Sequence, residues 1–116
     1  MFSGTHHKAN PPERRNVSQG LHVHGKIRSA LDCGVIANAK IEYWQAASDG
    51  YYTDRLRAWF IAGKDGSYQY ETEWPGAAIA HIHFIISADG YQSVTTQWIG
   101  DKPVTDVEIN FVLNPE

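Results

Sequence analysis

The stretch "AHIHF", residues 80 to 84, sets His81 and His83 one residue apart inside an apolar run. Side chains alternate along a strand, so the two imidazoles point to the same side, with Cα atoms roughly 6.5–7 Å apart. Two imidazoles at that separation can converge on one metal ion through bonds of about 2.0–2.1 Å. Ile82, Phe84 and Ile86 then face the other way, into a core. A second pair, His22 and His24 in "LHVHGKI", has the same spacing. All four histidines together would make a copper site, whereas His22 and His24 alone are most simply solvent-facing residues of an outer strand. No serine or cysteine nucleophile constellation and no phosphate-binding glycine loop accompanies them.

These residues need strands to position them, and the chain supplies short ones separated by turn residues. "LHVHGKI" alternates Leu21, Val23 and, beyond Gly25, Ile27 against His22, His24 and Lys26. "AKIEYWQA" places Ala39, Ile41 and Tyr43 on one face and Lys40, Glu42 and Trp44 on the other. "SYQYETE" alternates Tyr68, Tyr70 and Thr72. The "HIH" strand, "YQSVTTQWI" and "VEINFVL" follow, the last with Val107, Ile109, Phe111 and Leu113 inward. Turns fall at "LDCGVIAN", "SDG", Pro75-Gly76, "ADG" and "GDKP", and "GKDG" at 63 to 66 is a hairpin signal. A helical period is suggested only by a turn between Asp54 and Trp59. About seven short strands at roughly 8–12-residue spacing predict an all-β protein, an antiparallel β-sandwich.

The 116 residues form one domain, expected over 21–116, behind a polar N-terminal arm at 1–20 whose Pro11-Pro12 favours extended chain. The arm is expected to be disordered or to pack on a neighbouring subunit. A net charge of −3 without a Lys/Arg cluster beyond "ERR" gives no footprint for nucleic acid. No apolar stretch approaches the ~20 residues of a membrane span, and the amino terminus lacks a signal-peptide core. Cys33 is the single cysteine, which leaves no internal disulfide and suits a reducing, cytoplasmic setting. Cys33 reads as an inert turn thiol. The four tryptophans read as packing, with Trp74 a possible substrate wall.

"GKIRSALDCGVIANAKIEYWQAASDGYY", "GKDGSYQYETEWPG", "AHIHF" and "TTQWIGD" together resemble the intradiol ring-cleavage dioxygenases, over about residues 21 to 101. The strand-and-turn skeleton is shared with transthyretin-like binding modules; the metal ligands distinguish the enzymes. The resemblance implies a ferric ion held by His81, His83 and Tyr52, the tyrosine of the "G-x-Y" turn, with Tyr51 as the alternative one register step away. A phenolate is a hard anionic donor suited to Fe(III). Gln97 in "TTQW" matches the family glutamine near the reacting centre. The implied substrates are a small aromatic diol or related phenol and dioxygen, and the implied assembly is a homo-oligomer. Copper is the alternative metal, with His22 and His24 as ligands, an arrangement similar to that of copper–zinc superoxide dismutases.

The family places a second tyrosine ligand and an arginine between the "PG" turn and the "HIH" strand. Here that interval is only "AAIA", residues 77 to 80, and has neither. Arg57, or Arg55, is the candidate for restoring the charge. The short loop predicts a wider pocket, or one completed by another subunit, suited to a larger phenol.

Overall fold

The structure, a computed structural model, describes residues 6–116. Its eight strands are β1 (Leu21–Ser29), β2 (Lys40–Ala46), β3 (Tyr52–Ile61), β4 (Ser67–Thr72), β5 (Ala80–Ser87), β6 (Val94–Gly100), β7 (Asp106–Glu108) and β8 (Phe111–Leu113). They form two packed sheets. One runs β3-β2-β5-β6 and is antiparallel throughout; the other runs β4-β1-β7, with β8 also paired to β1. The expected all-β sandwich is therefore present, with two differences of pairing. β7 and β8 lie parallel to β1, reached where the chain crosses from β6 to the other sheet, in which both remaining strands stay. The "GKDG" turn joins β3 to β4, which belong to different sheets, so it makes a crossover rather than a hairpin.

Period-two alternation explains which residues lie between the sheets. Leu21, Val23 and Ile27 of β1, Tyr68 and Tyr70 of β4 and Phe111 and Leu113 of β8 meet Ile41 and Tyr43 of β2, Phe60 of β3 and Ile82, Phe84 and Ile86 of β5. Each apolar side chain of this size contributes roughly 1.5–3 kcal/mol when fully buried. Tyr43 stacks on Tyr70 with ring centroids 4.0 Å apart and ties the two layers together. The helical turn expected between Asp54 and Trp59 is absent. Those residues lie within β3, where Leu56, Ala58 and Phe60 are buried and continue the alternation. "VEINFVL" is broken into β7 and β8 at Ile109–Asn110, where the Asn110 side-chain oxygen accepts the Lys26 backbone N–H at 2.8 Å. Gly25 allows this approach, since a Cβ there would lie 1.9 Å from the Ile109 carbonyl oxygen.

The arm, from His6 onward, packs on its own chain. The Trp59 amide donates to the Pro12 carbonyl at 3.1 Å, and the Arg14 side chain donates to the carbonyls of Asp54 and Arg57 at 2.8 and 3.1 Å. Val17 N–H bonds the Glu71 carbonyl, and Tyr43 Oη donates to the Arg15 carbonyl. Residues 12–17 thus run along the edge of the sandwich, bonding edge strand β3 of one sheet and β4 of the other, while His6 and His7 lie on the outer face of the β3-β2-β5-β6 sheet. Residues 6–20, expected to be disordered or to pack on a neighbouring subunit, here lie against their own chain; residues 1–5 lie outside the described ones.

Candidate metal centre

One rung of the four-stranded sheet gathers the site. Trp44 pairs with Arg57 on one side and His83 on the other, and His83 pairs with Gln97. Directly opposed residues share a face, so Arg57, Trp44, His83 and Gln97 all stand on the side away from the core. His81 joins them two positions earlier on β5. Tyr52 begins β3, beyond an irregularity of the β2–β3 ladder between Trp44 and Ala46.

Three donor atoms converge there. Tyr52 Oη lies 2.9 Å from His83 Nε2 and 3.1 Å from His81 Nε2. The His81 Nδ1–H donates to the Ile79 carbonyl at 2.8 Å, which leaves the Nε2 lone pair aimed at Tyr52. His83 is fully buried and stacks on Trp44 at 5.1 Å, nearly parallel. Burial lowers its pKa to about 4, with further lowering by His81, His6 and Arg57, so it stands as a neutral donor at pH 7. Burial raises the Tyr52 phenol above its ordinary value, and Arg57, whose guanidinium carbon lies 5.9 Å from the ring centroid, works against that.

The donor set fits a metal ion. If His83 carries its proton on Nε2, the phenol accepts from it and donates to His81 without a metal; with the proton on Nδ1, two imidazole lone pairs face a single phenol proton. A cation between the three atoms satisfies both and ionises the phenol. Bonds of about 2.0–2.1 Å in a tetrahedral arrangement need donors roughly 3.3 Å apart, a few tenths of an ångström beyond the distances present. His83 Nδ1 and Gln97 Oε1 are both buried without a partner. They occupy paired positions on adjacent strands, where the glutamine oxygen is a suitable acceptor for the His83 Nδ1–H once Nε2 is a ligand.

The other sequence candidates separate clearly. Tyr51 is 76% exposed and makes no contact with either histidine of β5 among the described interactions. His22 and His24 stand on β1 of the opposite sheet and alternate with the core residues Leu21 and Val23. They therefore face out from the far side of the sandwich, and the four-histidine copper site does not form. Arg55 is held by Glu73, with nitrogen–oxygen distances of 2.8 and 3.2 Å, and is not free to act at the cluster. Arg57 is 7% exposed and faces the site. Trp74 packs edge-on against Trp98.

Sequence reasoning missed two contributors. His6 stacks on the Tyr52 ring with centroids 4.1 Å apart, while its carbonyl accepts a hydrogen bond from Arg57 Nη1 at 2.6 Å. The wide opening expected above the shortened loop is thus covered on the Tyr52 side by the arm. A polar arm without a period carries no signal of where it lies. Glu73 is the second. It accepts from Arg55, from Ser18 Oγ at 2.7 Å, and from the Ser48 N–H and Oγ at 2.7 and 2.8 Å. Arg55 above all holds its carboxyl well below the usual carboxylate range. It fixes the turn that leads into Tyr52.

No family model matches the chain. Among curated proteins it is 27% identical to a chlorocatechol 1,2-dioxygenase of Cupriavidus pinatubonensis, over 79% of this chain and 50% of the relative. It is 30% identical to a catechol 1,2-dioxygenase of Acinetobacter baylyi, over 66% of this chain and 34% of the relative. The chain thus spans half or less of the length of these relatives. Among solved structures, the dioxygenase domain of a dioxygenase–carbohydrate-binding fusion from Streptomyces sp. SirexAA-E superposes with a TM-score of 0.86 at 22% identity, covering 100% of this chain and 97% of that one. The 3-chlorocatechol 1,2-dioxygenase of Rhodococcus opacus 1CP gives a TM-score of 0.86 at 17% identity, over 99% of this chain and 71% of that one. Its sequence relatives are thus catechol-type 1,2-dioxygenases, and its fold is that of intradiol ring-cleavage dioxygenases, here with no tyrosine between Gly76 and His81.

Proposed function

We propose that this protein is a non-haem iron(III)-dependent intradiol-type dioxygenase that cleaves a catechol or related aromatic diol between its two oxygen-bearing carbons. The observation that carries the reading is the approach of Tyr52 Oη to both His81 Nε2 and His83 Nε2, at 3.1 and 2.9 Å. Tyr52, His81 and His83 would hold the ion. Ferric iron held there would supply Lewis-acid activation of an aromatic diol toward dioxygen, and ring cleavage would add one oxygen atom to each of the two carbons whose bond breaks. The chain's own groups set the conditions. Trp44 holds the His83 ring in plane, the Ile79 carbonyl fixes the His81 tautomer, and Arg57 places positive charge over the Tyr52 ring, favouring its phenolate. The Gln97 amide stands beside His83, where it can orient that ring or a substrate oxygen.

A second reading keeps the metal and changes the outcome: modification of a phenol without ring cleavage. It is favoured by the "AAIA" interval, which lacks the family's second tyrosine and arginine. Metal content and the visible spectrum of untagged protein test the site. The expected result is about one iron per chain and a broad tyrosinate-to-iron absorption, both lost or strongly reduced in Tyr52→Phe. Full iron content and turnover in that variant would sink the ligand assignment. Product mass then separates the two reactions, because ring cleavage adds both atoms of dioxygen to the diol. A chain that takes up no metal after reconstitution is a binding module instead.

A further inference from the structure

On the opposite face of the sandwich, His22, His24 and Asp106 form a cluster whose candidate ligand atoms all lie within 4.8 Å of one another. Strand pairing builds it. β1 presents His22 and His24 outward, and β7 pairs with β1 in parallel so that Asp106 lies opposite His22 and Glu108 opposite His24. On the other side β4 sets Gln69 opposite His24 and Glu71 opposite His22. The Asp106 carboxylate bridges the two rings, with Oδ1 2.8 Å from His22 Nδ1 and Oδ2 2.8 Å from His24 Nε2. The rings stack at 5.1 Å.

Two arrangements account for these contacts: a protonated His22, or a cation held by the neutral rings and the carboxylate. His22 Nε2 also lies 3.0 Å from Gln69 Oε1, so both nitrogens of that ring face oxygen acceptors. A neutral imidazole has one N–H and leaves its other lone pair against an oxygen, whereas a protonated ring, which Asp106 and then Gln69 favour by raising the His22 pKa, donates to both. A cation between His22 Nδ1 and the Asp106 carboxylate removes the conflict, and the Gln69 oxygen then accepts the Nε2–H as an outer partner of a ligating histidine. We infer that His22, His24 and Asp106 form a second metal site, for a borderline divalent cation of the zinc class, separate from the Tyr52 cluster. Two imidazoles and one carboxylate suit such ions and are poor ligands for calcium or magnesium.

The site is open on one side. His22, His24, Gln69 and Glu108 also line a cleft of about 800 Å³ shared with Lys26 and Lys64. Glu108, opposite His24 and lining that cleft, or water would complete the shell of a bound ion. A bound ion would clamp the three-residue strand β7 to β1.

The inference does not depend on the proposed function, and its test keeps the two apart. In a Tyr52→Phe/His81→Ala background, which removes two donors of the other cluster, Zn²⁺ titration by calorimetry is expected to give one ion per chain. Excess Ca²⁺ or Mg²⁺ should not compete. Adding Asp106→Asn, an isosteric change at an exposed side chain, should weaken Zn²⁺ binding at least tenfold. It should also abolish any Zn²⁺-dependent rise in melting temperature, and His24→Gln should act alike. Circular dichroism of each variant checks that the sandwich is retained. Zn²⁺ binding that Asp106→Asn and His24→Gln leave unchanged, or the absence of stoichiometric binding in the background, overturns the inference.

Discussion

His83 concentrates the chemistry of the candidate centre in one side chain. Its ring is enclosed by Trp44, Tyr52 and His81, and the enclosure lowers its pKa to about 4 against an ordinary 6.5. The sign of the resulting pH dependence follows from proton binding. Between these two values the unfolded chain binds a proton that the folded chain excludes, so the folded state loses stability as pH falls through that window. The His83 share is fully present above pH 6.5 and lost by about pH 4, with an upper bound of about 3 kcal/mol at 1.36 kcal/mol per unit. Urea unfolding of metal-free protein at a series of pH values should show this decline, and a His83→Leu variant should show less of it. An identical slope in the variant would mean that His83 is solvated in the folded state. The same lowered affinity for protons keeps Nε2 available to a metal at neutral pH, which a solvent-exposed histidine does less completely.

At the scale of elements, the position of Tyr52 depends on a turn braced by the next turn along the sheet. The Gly50 and Gly76 amides both donate to the Ala47 carbonyl, at 2.9 and 3.0 Å, and Ala47 N–H bonds the Tyr51 carbonyl. A Cβ on residue 76 would sit 2.0 Å from the Ser48 carbonyl oxygen. Gly76→Ala must therefore push the two turns apart, at a cost of about 2–4 kcal/mol from overpacking and a lost hydrogen bond. It should also reduce metal content, because the 47–51 turn carries Tyr52. Gly90→Ala is the control: it has a positive φ of 82° but open space around it, so only backbone strain of about 1–2 kcal/mol is expected, with metal content unchanged. Denaturant melts with metal analysis compare the two. The strands were legible in the sequence because burial alternates with period two in β1, β4 and most of β5. The shared face of His81 and His83 was legible from the same alternation, whereas Tyr52 came only from the family resemblance; its hydroxyl lies within 3.1 Å of both rings. Pairing was not legible: alternation fixes which way a side chain points but not which strand lies beside it. For that reason "GKDG" looked like a hairpin, and Asp106, remote in sequence from His22 and His24, gave no sign of joining them.

For the molecule as a whole, the arm unites the sandwich with its site. His6 lies on Tyr52, His7 is 2.7 Å from Glu42 and packs at 4.9 Å from Trp44, and Lys8 pairs with Asp54 at 3.0 Å. Trp44, although it stands on the outer face of its sheet, is only 1% exposed. A chain beginning at Asn10 keeps both sheets, the core and the Pro12 and Arg14 bonds to β3, so it should fold. It loses the stacking on Tyr52 and the hydrogen bonds of His6, His7 and Lys8. A net loss of about 1 kcal/mol, given the partial exposure of these contacts, corresponds to a fall of roughly 4–8 °C in melting temperature for a domain near this size. Removing the cover should wet Trp44, shift tryptophan emission to longer wavelength and make it more accessible to acrylamide. If the arm restricts entry, association of a catechol-type ligand with the iron-loaded protein should be faster in the truncated chain, as read by stopped-flow absorbance. Unchanged emission and quenching would show that Trp44 is shielded by the sheet itself. In that case the arm contributes stability alone, and the shortened 77–80 interval, rather than the arm, sets the width of the entrance.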